Sequence, residues 1–161
     1  MNIIAKDLVM KLQSLLEEKK AAMESIYSLT LDQKEDIEKN QGENLNSFID
    51  RKQKEIDKIQ AIDENFQDVV MLLKKELEID VLDNIDPKIY PEFKSIKGLT
   101  KQIMELAPKI MELEEQNRIK VQDIINNIKK DIKTIKLGQK SVKAYEKPNL
   151  NVGGIYIDSK K

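Results

Sequence analysis

One stretch, Leu99 to Tyr145, limits what this chain can fold into. Apolar residues recur along it at steps of three and four: Leu99, Ile103, Leu106, Ile110 and Leu113. After Asn117 the series resumes at Val121, Ile124, Ile128, Ile132 and Ile135, then thins to Val142 and Tyr145. Such steps place side chains on one stripe of a helix. At about 1.5 Å per residue that helix would be ~70 Å long. A stripe of that length needs partners. Charged residues make up 35% of the chain and aromatics 4%, with five Gly and four Pro in 161 residues. This is the composition of long helices or a coiled coil, so the partners are expected to be helices too.

Two earlier stripes fit that expectation. The first runs Ile4, Leu8, Leu12, Leu15, then Lys19, then Ala22, Ile26 and Leu29, and resumes at Ile37. Thr30 or Asp32 is placed to cap a new helix there. With no Gly or Pro between, one helix to about Gln41, bent at most near Thr30, is the better reading. Gly42 is its stop signal, as a C′ residue. Asn44 is a suitable N-cap for a second helix. Its stripe is Leu45, Ile49, Lys52, Ile56, Ile59, Asp63, Phe66, Val70, Leu73 and Leu77. Lys52 and Asp63 interrupt it, either setting register or reaching solvent along their stems. So short a connection at Gly42 makes helices one and two antiparallel neighbours.

Glu78 to Lys94 holds Pro87 and Pro91 and no sustained stripe. It reads as a linker, with a short turn of helix from Pro91, whose apolar residues seal the bundle end. Thr100 is the expected cap of the third helix, with Gly98 just outside. Pro108 leaves two readings: a bend in that helix, or a start at Pro108. The expected fold class is therefore all-α: an elongated, coiled-coil-like antiparallel bundle of three long helices. The helices are placed near 2–41, 44–78 and 99–145 with a linker at 79–98, and the domain covers 1–146. A flexible non-helical tail is expected over 147–161, where Gly153, Gly154 and Pro148 lie.

Composition removes most chemistries. With no Cys and no His, nucleophilic thiols, Ser-His-Asp triads and imidazole metal sites are excluded. Glu112, Glu114, Glu115 and Asp63 read as a solvated face, because carboxylate di-iron bundles also need histidine. No Gly-rich phosphate loop is present, so neither enzyme activity nor a cofactor is expected. Mean hydropathy is -0.54, and no long uncharged apolar run suggests a membrane span. The first residues lack the basic-then-apolar layout of a signal peptide, which favours a cytoplasmic location. Charge is uneven: Met1–Asn117 carries 17 basic and 25 acidic residues, whereas Arg118–Lys147 carries 9 and 3.

Several segments together resemble the FlgN family of flagellar export chaperones. Leu45 to Ile59, with Lys52-Gln53 at its centre, is similar to the family's Lys-Gln segment. Glu112-Leu113-Glu114-Glu115-Gln116-Asn117-Arg118 is similar to its Asn-Arg segment. Lys143-Ala144-Tyr145 and the later Gly-Gly-Ile-Tyr-Ile-Asp are similar to family C-termini. The order of long helix, Lys-Gln helix, Pro linker, Asn-Arg helix and short tail carries the resemblance best. It implies a cytosolic helical chaperone that holds the hook-filament junction proteins FlgK and FlgL and passes them to the flagellar export apparatus. It also implies that the C-terminal helix, here Ile124 to Tyr145, meets the client.

If the third helix starts level with the others, its last turns extend past them. They carry Ile128, Ile132, Ile135, Leu137, Val142 and Tyr145. Such a patch is larger than a monomer usually exposes. With Ile124, these seven are the expected client-binding residues, suited to helix-in-groove recognition. Lys129, Lys133, Lys136, Lys140 and Lys143, continued by Lys147, form a basic stripe beside them. The stripe is either a solvated face or an electrostatic steering element for an acidic client segment. Nucleic acid is not expected, since the stripe has no interleaved aromatics and no arginine. Asn117 reads as a register residue. The rival reading is a structural or adaptor coiled coil that uses the same stripes to self-associate as a homo-oligomer.

Overall fold

Helix α1, Ile3–Asn40, starts where Asn2 adopts extended backbone and its side chain accepts the Ala5 N–H at 3.0 Å. These features come from a computed structural model that describes residues 2–146. The expected flexible tail lies outside the described residues. The chain divides into two units, 1–118 and 119–161.

In the first unit α1 is one helix through Thr30. The Thr30 hydroxyl, fully buried, donates to the Ile26 carbonyl of the preceding turn at 2.6 Å rather than capping a new helix. Two successive residues in the left-handed region, Gln41 at φ 55° and Gly42 at φ 77°, end α1. Both N–H groups return to the Asp36 carbonyl. The Asp36 carboxylate, buried, also accepts the Asn44 backbone N–H at 3.1 Å and the Asn44 side-chain amide at 3.0 Å. Asn44 precedes helix α2, Leu45–Leu77, as expected, but its side chain makes no cap; Asp36 has taken it. One buried carboxylate therefore closes the α1–α2 turn.

The pairings give the topology. Asn2 bonds to Glu76, Lys19 to Asp63 and Lys52 to Gln33, so α2 runs antiparallel to α1. Gln13 bonds to Ser95 and Asn117 to Thr30, at sequence separations of 82 and 87, so the third helix runs parallel to α1. The first unit is an antiparallel three-helix bundle. Its core combines Val9, Leu12 and Leu16 of α1, Ile62, Val69 and Leu73 of α2, and Ile85, Tyr90, Phe93, Ile96 and Ile103.

The third helix, α3, covers Glu92–Glu146. It begins seven residues before the expected start at 99, so the linker is shorter than 79–98. Gly98 and Thr100 lie inside it, and Thr100 donates to the Ile96 carbonyl instead of capping. The reason is burial: Tyr90, Phe93 and Ile96 are all within the core. Each large apolar side chain fully buried gains roughly 1.5–3 kcal/mol, more than the ~1 kcal/mol that an interior glycine costs. The remaining connection has one 3₁₀ turn, Leu82–Asn84, and sends Ile85 into the core as a seal. Pro108 neither starts nor ends α3. It deprives the Met104 carbonyl of its helical donor, and Met104 is exposed, so water can serve that group.

The second unit is described from Ile119 to Glu146 and is helical throughout. Among the described residues there is no strand, and no helix is long and apolar enough to cross a membrane.

Candidate interaction surface

Two sets of polar and apolar residues stand out, one inside the first unit and one on the surface of the second.

Inside the first unit, three helices meet at Lys52. Its ammonium donates to Gln33 Oε1 of α1 at 2.6 Å and to Glu114 Oε1 of α3 at 2.5 Å. The Lys52 side chain is only 8% exposed and that of Glu114 46%. Lys52 therefore does not reach solvent along its stem; it is neutralised within the bundle. Glu114, expected on a solvated face, is half withdrawn as its counter-ion. Nearby in sequence, buried Asn117 donates to the Thr30 carbonyl at 3.1 Å. Its Oδ1 is buried without a protein partner. Buried polar groups cost stability when unpaired, so such contacts favour one alignment of three otherwise interchangeable heptad stripes. Asp63, the other polar interruption, pairs with Lys19 at 2.8 Å near the surface. These contacts align the helices. Among the described residues no group of carboxylates is placed to hold a metal ion.

On α3 of the second unit, Val121 and Ile124 are half-buried. Ile128, Ile132, Ile135 and Val142 are exposed, at 50%, 47%, 59% and 55%. At ~3.6 residues per turn, Val121, Ile128, Ile135 and Val142 form a spine of β-branched residues at seven-residue spacing. Ile124, Ile125 and Ile132 flank it. Tyr145 is 89% exposed, about a quarter turn to one side. Leu137 is not brought to this ridge. Nine residues beyond Ile128 is about two and a half turns, so it lies on the opposite face, together with Ile119. Lys129, Lys133, Lys136, Lys140 and Lys143 are all exposed and follow one edge of the ridge. Asn127, Asp131, Thr134, Gly138 and Ser141 follow the other.

The two residues of the Asn-Arg pair have different tasks. Asn117 is internal, whereas Arg118 forks onto Glu115 at 3.0 and 2.6 Å on the surface. The Arg118 guanidinium holds the Glu115 carboxyl below the ordinary glutamate range, chiefly by hydrogen bonding. Asp36 and Gln33 escaped the sequence reading, because nothing in their spacing distinguishes an inward polar residue from a frayed stripe. The one available signal was the gap in the first stripe between Leu29 and Ile37, where Gln33 stands.

A family model described as FlgN protein matches residues 1–150 of the chain. No curated protein and no solved structure matches it.

Proposed function

We propose that this chain, which belongs to the FlgN family of flagellar export chaperones, seats a terminal helical segment of the hook-filament junction proteins FlgK and FlgL on the α3 ridge. In this reading it does so in the cytosol, keeps that segment soluble and releases it at the export apparatus. The chaperone performs no covalent step. The seat comprises Ile124, Ile128, Ile132, Ile135, Val142 and Tyr145, with Leu137 on the far side available only to a second contact. Lys129, Lys133, Lys136, Lys140 and Lys143 speed encounter with an acidic segment by long-range attraction.

The observation that carries this reading is the row of half-exposed β-branched side chains on one helix face. An amphipathic client helix laid on that row removes apolar surface from water on both partners. Covering the exposed half of four such side chains gains roughly 3–6 kcal/mol. Association costs an estimated 4–15 kcal/mol, so the edges of the ridge must contribute as well.

The test is hydrogen exchange across 124–146 of the full chain, with and without the C-terminal segment of a hook-filament junction protein. Protection gained only with the client is expected. Unchanged exchange, together with a tight homodimer in sedimentation that ignores the client, would overturn the proposal in favour of a self-associating coiled coil.

A further inference from the structure

The two edges of the α3 ridge differ in a way that specifies its occupant. One edge carries Lys129, Lys133, Lys136 and Lys140, stepping by four, three and four. All four are exposed, and among the described residues none has an acidic partner. The other edge is Lys120, Asp123, Asn127, Asp131, Thr134, Gly138, Ser141 and Tyr145, with two carboxylates against one lysine. At Gly138 a side chain would meet nothing within 4 Å. A second copy of this chain laid antiparallel brings its lysine edge against this one, which repels, and laid parallel it offers four lysines only Asp123 and Asp131, offset by Lys120. We infer that the occupant is an amphipathic helix of about three heptads whose acidic residues lie along one flank only, over the lysine edge. Which flank is acidic then sets the direction in which that helix lies.

The inference rests on the proposed docking reading and adds the chemistry of the partner. A helix resting on the ridge has two flanks, and turning it end for end exchanges them. Acid on one flank satisfies the lysines in only one of the two directions. In the other direction the acids face Asp123 and Asp131 with Lys120 as the one cation, and the four ammonium groups gain nothing. Exposed ion pairs are individually weak, but four in register discriminate.

The probes are synthetic three-heptad peptides with one apolar face and either Glu or Gln along a single flank; the two residues have similar helix propensity. By calorimetry with the full chain at ~0.15 M salt, the Glu peptide should bind about tenfold tighter, and the gap should close at ~1 M salt. K129E/K133E/K136E/K140E should reverse the order, preferring a Lys-flanked peptide. Equal binding of Glu and Gln peptides would overturn the inference while leaving the docking reading intact. Failure of every peptide to bind would overturn the docking reading itself. Direction is read separately on this cysteine-free chain carrying Ser141→Cys. Peptides with acid on opposite flanks should form a disulfide with it through cysteines at opposite ends; cross-linking through the same end would overturn the directional claim.

Discussion

Replacing Lys52 and Gln33 singly and together tests whether the inner polar layer aligns the bundle. The bond between them is 2.6 Å long, and both residues are under a tenth exposed. A hydrogen bond to a charged group contributes about 1.5–3 kcal/mol, and a buried group left unpaired costs about 1–3 kcal/mol. Lys52→Met strands the Gln33 amide; Gln33→Leu strands one face of the ammonium. Glu114 is 46% exposed; it keeps Lys52 in Gln33→Leu and turns to water in Lys52→Met, so its share is held below ~1 kcal/mol. Each single change should therefore cost about 2 kcal/mol. The double variant, in which neither group is stranded, should cost far less than their sum, with a coupling of about 2 kcal/mol. Urea unfolding followed at 222 nm reads this as shifts in midpoint at unchanged slope. Additive losses would refute the claim that the two side chains act as one buried pair.

Gly98 is exposed inside α3, with open space where a methyl group would go. Gly98→Ala should raise stability by about 1 kcal/mol in the same melts, with loss of stability as the contrary result. Glu78 ends α2 at φ 54°, a strained conformation for any side chain, and places a negative charge at a helix C-terminus. Glu78→Gly should stabilise by roughly 0.5–1 kcal/mol, measured as a higher urea midpoint. The Glu115 carboxyl should titrate below an ordinary glutamate by NMR and return toward it in Arg118→Ala. Because its folded pKa is lowered, the pair's contribution is present above the ordinary glutamate pKa and fades as pH falls through the lowered one.

The number, type and order of helices were legible because heptad stripes depend only on local geometry. Gly42 marked the turn correctly, and Pro87 and Pro91 marked a linker. Local signals misplaced the start of α3. Gly98 and Thr100 look like a helix boundary to neighbours in sequence, yet Tyr90, Phe93 and Ile96 lie against α1 and α2 and extend the helix back to Glu92. Leu137 was misplaced for a simpler reason: it is apolar, but its step from Ile135 and Val142 does not fit the stripe.

From the order of its residues alone, this chain was bound to form long amphipathic helices and to lack thiol and imidazole chemistry. Those properties are periodicity and composition. Only the tertiary structure decided which polar residues face inward. Lys52, Gln33, Asp36 and Asn117 differ from their solvated neighbours in nothing but the partners that other helices bring, and a buried polar group is tolerated only where those partners arrive.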